Sequence, residues 1–342
     1  MQIFVFDYFD YYDKKYPDIV IEILEYFEIS NNVPDNLKEK SVLKFCILHK
    51  NEKGLVYQPG IVNRICKKLC DCGRMECIKQ SNGLGLDNNY VFILKDKELL
   101  KRERQRLKVL YNSIVYGFDY IYDLYKDLVI PLVWEKPDGG YSAGTGFKYS
   151  NGIVTAKHCI CDMTNLQIKG YRAEELSNCH IYISDDNNVD LAFIETSRVD
   201  HTPINIDEGE VMQEVLVMGY PKIPAFTDFL TIEKATISSK ASSRITPTRG
   251  AIAAYGYEYL TKMDAMLITA KIRGGNSGGP VINENGCLVG ISCQILDSNP
   301  QNGDYDDLGY GVAIPVKYLQ DLVDRKPVKL ELKNDFFRDF IE

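Results

Sequence analysis

The chain has 342 residues, 45% of them hydrophobic and 26% charged, with a formal net charge of −8, a balance that fits a soluble globular protein and excludes a fibrous or disordered one. Its length exceeds what one typical core fills, so two domains or more are expected. The opening stretch MQIFVFDYFDYYDKKYPDIV sets Asp7, Asp10 and Asp13 where an export signal needs an apolar core, and no uncharged apolar run approaches the roughly 18 residues of a membrane span. A cytoplasmic location with no membrane partner is therefore expected.

Charge is spread unevenly: residues 1–34 carry net −5, residues 35–110 net +8 and residues 111–342 net −11. The basic middle segment reads as a separate module with its own partner. Within it, YPDIVIEILEYFE (Tyr16 to Glu28) places Ile19, Ile23, Tyr26 and Phe27 on one helical face. PDNLKEKSVLKFCILHK repeats the spacing with Leu37, Val42, Phe45, Cys46 and Leu48. A third helix follows Pro59, with Ile61, Ile65, Leu69 and Cys72 turned inward and Gly73 as its stop. RMECIKQ and NYVFILK, on either side of SNGLGLDNN, read as two short strands.

Three helices and a hairpin resemble a winged helix-turn-helix domain, placed over 1–96. The resemblance implies that Asn63, Arg64, Lys67 and Lys68 lie on the exposed face of the third helix, where such domains meet DNA. Lysines on a helix also serve as a merely solvated face, and many domains of this shape bind only protein, so DNA and a regulatory protein partner both stay open.

Without an export signal, most of the ten cysteines are expected as reduced thiols. Cys66, Cys70, Cys72 and Cys77 suggest a thiolate zinc site, but the spacing CKKLCDCGRMEC lacks paired C-x-x-C knuckles, and small buried apolar residues are the plainer reading. No metal or cofactor is expected.

From Lys97 the pattern is helical through Leu107, Leu110, Ile114, Phe118, Ile121 and Tyr125, which predicts one long amphipathic connecting helix over 97–127. After Val129 the texture changes to short runs such as IPLVW, GTGFKY, GIVTA, LAFIE, EVLVMGY, LVGISCQI and GVAIP, separated by Gly, Pro, Asn and Asp. Many short strands with frequent turns predict β-barrel architecture.

That β region holds IVTAKHC with His158, NVDLAFIE with Asp190, and GGNSGGP with Ser277, separated by 32 and 87 residues. A serine hydroxyl needs an imidazole to take its proton, and the imidazole needs a carboxylate to hold its tautomer. Asp185 and Asp186 compete with Asp190 but read as turn residues. The three motifs, in this order, resemble the chymotrypsin (trypsin-like) serine protease family, nearer to its bacterial HtrA-type and glutamyl-endopeptidase branches. GTGFKYSNGIVTAKHC resembles the entry strand and histidine turn, and YGVAIPVKYL the closing strand and C-terminal helix.

The resemblance implies a double six-stranded barrel over 128–326, followed by a tail over 327–342. It implies a triad of His158, Asp190 and Ser277 and an oxyanion hole from the amides of Gly275 and Ser277. It also implies a substrate-binding strand at Ser292, Cys293 and Gln294, with Gly311 on the pocket wall. Lys271, six residues before the serine, stands where the pocket base often lies and would favour an acidic side chain; the alternative points it to solvent.

No IVGG-like mature terminus precedes the domain, so the expected switch is an ordering of loops by the N-terminal module or a partner. The whole is expected as a multidomain α+β serine endopeptidase acting on protein, similar in layout to effectors of bacterial defence systems. The alternative is a DNA-binding regulator whose protease domain cleaves itself or a co-regulator.

Overall fold

The computed structural model describes residues 18–29, 40–49, 57–81, 83–93, 103–136, 141–161, 163–196, 198, 201, 203–221, 245–258, 263–293, 310–332 and 336–340. The chain divides into two compact units, Met1–Ile121 and Tyr122–Glu342.

In the first unit, α1 (Ile19–Phe27) is apolar on nearly every side: Ile19, Val20, Ile21, Ile23, Leu24 and Phe27 are all buried. A helix of that kind must be wrapped by other elements. It runs straight into a two-residue strand, β1 (Glu28–Ile29), too short to leave a periodic signal. α2 (Val42–Leu48) begins on the Ser41 hydroxyl, which accepts the Lys44 amide at 3.2 Å. α3 (Pro59–Asp71) begins on Pro59, whose missing N–H costs nothing at a first helical position. Leu48 and Cys72, expected to face inward, are exposed, because one is the last residue of α2 and the other caps α3. β2 (Glu76–Lys79) and β3 (Asn89–Ile93) pair antiparallel, and β1 adds to β3 in parallel to give the order β1-β3-β2.

The stretch expected as one connecting helix is two. α4 (Arg104–Tyr116) ends at Gly117, whose φ of 66° leaves the helical region while its amide closes on the Ser113 carbonyl at 2.7 Å. The chain then restarts as α5 (Phe118–Tyr125). The apolar periodicity runs through this break because both pieces present apolar faces, so only the glycine marked it. Residues 97–102 lie outside the described residues.

The second unit is β-rich. Its first half contains β4 (Val129–Glu135), β5 (Tyr141–Tyr149), β6 (Gly152–Thr155), β7 (Thr164–Ile168), a short helix α6 (Ala173–Ser177), β8 (His180–Ile183) and β9 (Ala192–Glu195). Its second half contains β10 (Glu214–Gly219), β11 (Thr246–Glu258), β12 (Met263–Ile268), β13 (Pro280–Asn283), β14 (Leu288–Cys293) and β15 (Gly311–Pro315). α7 (Val316–Arg325) and β16 (Val328–Leu330) complete it. β10 to β15 close into a six-stranded barrel, as the resemblance implied.

The first half departs from that expectation: it is a seven-stranded sheet in the order β16-β8-β9-β6-β5-β4-β7. The seventh strand comes from the segment expected to be a tail. β16 pairs with β8 at one edge. At the other edge, the Leu166 amide donates to the Phe336 carbonyl at 2.8 Å and the Arg338 amide to the Leu166 carbonyl at 2.9 Å. Phe337 is buried in the same apolar cluster as Leu132, Ile153, Leu166, Ile181 and Ile194. The C-terminal segment thus satisfies both exposed edges of the sheet and fills its core, which an isolated sheet edge requires of some cover.

Candidate active site

His158 sits on a single helical turn, Lys157–Cys159, directly after β6. Two hydrogen bonds tie it to Asp190, which lies just before β9. The His158 amide donates to Oδ1 at 2.8 Å, and Nδ1 meets Oδ2 at 2.6 Å. The Lys157 amide also reaches the Asp190 carbonyl at 3.2 Å. β6 and β9 are antiparallel neighbours with Thr155 opposite Ala192, so sheet pairing brings the two residues together across 32 positions of sequence. The competing aspartates are engaged elsewhere: Asp186 accepts the Asn188 amide at 2.9 Å within a turn, and Asp185 pairs with Arg325.

Both side chains of the pair are largely withdrawn from solvent, His158 at 30% and Asp190 at 21% exposure. Burial works against a charged imidazole, but the hydrogen bond to Asp190, the adjoining Cys159 sulfur and the carboxylate charge outweigh it, so the His158 pKa is raised. A third group touches the same carboxylate. The Cys293 thiol lies 3.3 Å from Asp190 Oδ2, and burial followed by that neighbouring charge keeps it protonated. Cys293, expected on the substrate strand, ends β14, and its sulfur meets the aspartate.

Ser277 stands in the loop between β12 and β13 and is 2% exposed. Gly275 (φ 100°) and Gly278 (φ 87°) bracket it in a backbone region that side chains rarely enter. At Gly278 the space is closed as well, since an added Cβ would lie 2.3 Å from the Thr145 carbonyl and 2.6 Å from the Ala156 amide. The loop therefore presses directly on the strand and turn that carry His158, and the Ser277 carbonyl lies 4.0 Å from Cys159 Sγ.

Backbone bonding along the loop alternates. The amides of Asn276, Gly278 and Gly279 go to Arg273, Ser292 and Asn276 carbonyls, whereas those of Gly275 and Ser277 have no backbone acceptor among the described residues. The Ser277 hydroxyl is buried and makes no hydrogen bond among the described residues. The imidazole–carboxylate half of the arrangement is thus closed and the serine–imidazole half open.

Ser292 supports the loop from below. Its amide and carbonyl pair with Gly279 and Gly278, and its hydroxyl lies 2.6 Å from the Asn276 carbonyl. With these groups spent on the loop, Ser292 is a scaffold residue, although the sequence placed it against substrate. Lys271 is exposed, and its carbonyl accepts the Thr248 hydroxyl at 3.0 Å. Gly311 opens β15 opposite Ile268, where a Cβ would meet the Ala270 carbonyl at 2.8 Å. Gln294 lies outside the described residues.

Residues 144–291 match the family model described as the trypsin-like peptidase domain. This chain carries a trypsin-like serine peptidase domain. It is 26% identical over 206 residues to the serine protease Do-like HtrA of Bacillus subtilis, covering 58% of this chain and 40% of that protein. It is also 26% identical over 191 residues to the chloroplastic protease Do-like 2 of Arabidopsis thaliana, covering 54% and 28%. The chain thus spans less than half the length of these relatives. A crystal structure of a protease from M. tuberculosis in its active form aligns at a TM-score of 0.45 with 16% identity, over 65% of this chain and 89% of that one.

In the first unit, of the four residues expected on the exposed face of the third helix, Lys67 and Lys68 are exposed and Asn63 and Arg64 half-buried. Asn63 donates to the Gly85 carbonyl at 3.0 Å and accepts from Asn88 and the Tyr90 hydroxyl at 2.9 and 3.0 Å, stapling α3 to the β2–β3 connection. Lys68 donates to the Val115 carbonyl at 2.8 Å, capping the last turn of α4. Among the described residues no group of three or more His, Cys, Asp or Glu side chains is arranged to hold a metal ion, and no helix is long and apolar enough to cross a membrane.

Proposed function

We propose that the second unit hydrolyses peptide bonds through His158, Asp190 and Ser277. The observation that carries this reading is the 2.6 Å contact between His158 Nδ1 and Asp190 Oδ2 beside the glycine-bracketed serine loop. With Nδ1 committed to the carboxylate, Nε2 is the nitrogen left to take the Ser277 proton as the hydroxyl attacks a carbonyl carbon. The charge that develops on the carbonyl oxygen falls to the amides of Gly275 and Ser277, neither of which has a backbone acceptor among the described residues. Protonated His158 then returns its proton to the leaving amine, and water releases the acyl group by the same steps in reverse. Labelling by a fluorophosphonate tests this: wild type should react and Ser277→Ala should not, and equal labelling of both would end the reading.

The α1-β1-α2-α3-β2-β3 order of the first unit supports a winged-helix reading of it. The engagement of Asn63 within the unit supports a regulatory protein partner over DNA as what this face meets. A gel shift on duplex DNA at low salt checks the choice, since binding lost in Arg64→Ala/Lys67→Ala would favour DNA. The exposure of Lys271 supports the alternative in which it points to solvent; a peptide-library cleavage profile with a strong preference for acidic residues would instead return it to the pocket.

A further inference from the structure

Thr145 is fully buried on β5, and its amide, hydroxyl and carbonyl all bond to groups around the catalytic arrangement. Its amide donates to the Ser277 carbonyl at 3.0 Å. Its hydroxyl donates to the Gly275 carbonyl at 2.6 Å and accepts the Tyr220 amide at 2.9 Å, just beyond β10. Its carbonyl accepts the Thr155 hydroxyl at 2.8 Å, three residues before His158.

The geometry has a simple origin. The ladder between β5 and β6 starts at Gly146 opposite Thr155, so Thr145 is one residue past the end of its neighbour. Its backbone groups on that side have no strand to pair with and must find other partners. They find the nucleophile loop. The flanking glycines make the approach possible: a Cβ at Gly144 would lie 2.7 Å from Cys159 Sγ, and one at Gly146 would lie 2.8 Å from Leu132 Cδ1.

We infer that Thr145 is a positioning residue of the peptidase centre, its hydroxyl clamping the Gly275 peptide so that the oxyanion-binding amides and Ser277 keep register with the histidine strand. This inference rests on the peptidase reading given above. The clamp matters because the Ser277 hydroxyl itself makes no hydrogen bond among the described residues, so its place depends on how the backbone of its loop is held. The carbonyl of Gly275 is fixed by a side-chain donor inside the protein, so the turn that presents the Gly275 and Ser277 amides is held without using those amides. A displacement of about 1 Å in such a loop slows chemistry far more than it weakens binding.

The full-length chain carries the test, with a fluorophosphonate as the probe and acylation read as kinact and KI. Thr145→Val keeps the volume and removes the hydroxyl, so kinact should fall about 30- to 300-fold while KI stays within about threefold. Thr145→Ser restores the donor and should return kinact to within about threefold of wild type, which a purely packing role would not do. Thr145→Val acylating at the wild-type rate overturns the inference, and so does Thr145→Ser as slow as Thr145→Val. If Thr145→Val does not fold, as judged by near-ultraviolet circular dichroism, Thr145→Ala removes the hydroxyl without adding bulk and is held to the same thresholds. A wild type that fails to label overturns the peptidase reading and this inference together. A wild type that labels beside an indifferent Thr145 variant overturns this inference alone.

Discussion

Replacing Asp190 by asparagine exchanges one carboxylate oxygen for an NH2 group while keeping shape and volume. Three donors converge on this side chain: the His158 amide on Oδ1 at 2.8 Å, and His158 Nδ1 and the Cys293 thiol on Oδ2 at 2.6 and 3.3 Å. An amide side chain offers only one oxygen. The rigid backbone amide of His158 claims it, which turns the NH2 toward Nδ1. Nδ1 must then accept, the proton moves to Nε2, and the nitrogen facing Ser277 can no longer take the hydroxyl proton. The expected loss in acylation rate is about 10⁴-fold, or about 5.5 kcal/mol of transition-state stabilisation, with the fold intact. Fluorophosphonate kinetics on wild type and Asp190→Asn, with thermal melts as a check on folding, measures it. A rate within about tenfold of wild type in the folded variant would refute the assignment of Asp190.

Three further outcomes rest on the same structure. Because the Asp190 carboxylate raises the His158 pKa and the base must be neutral, acylation should rise with pH with a midpoint above the ordinary imidazole value of about 6.5. The stabilising contribution of the pair is complete below that value and is lost as pH climbs through the raised one; a rate profile with its midpoint at or below 6.5 would contradict it. Gly278→Ala places a Cβ in a left-handed backbone (φ 87°) and 2.3 Å from the Thr145 carbonyl, so it should cost about 2–4 kcal/mol and lower Tm by about 5–15 °C in a thermal melt. Asn63→Ala leaves Asn88, Tyr90 and the Gly85 carbonyl short of partners and should cost the first unit about 1–3 kcal/mol in urea unfolding, whereas Lys67→Ala should stay within about 0.5 kcal/mol.

The candidate site was readable in the chain because its signals are local. His158 follows a strand ending in a turn, Asp190 precedes another strand, and Ser277 sits among glycines that a converging backbone needs. The helices of the first unit were legible from apolar spacing, and Gly117 shows where such spacing misleads: a periodic pattern continues across a break that one positive φ creates.

Tertiary structure alone decided the rest. Thr145 looks in sequence like an ordinary strand residue and Ser292 and Cys293 were legible only as a strand near substrate; the contacts they make are with partners up to 132, 16 and 103 positions away. Asn63 carries the composition of a binding face and staples α3 to the β2–β3 connection. The last residues looked like a tail and instead satisfy both edges of a sheet. Residue type and spacing report what a side chain is able to do, whereas hydrogen-bond closure of strand ends, loops and sheet edges depends on which distant groups the fold brings within about 3 Å.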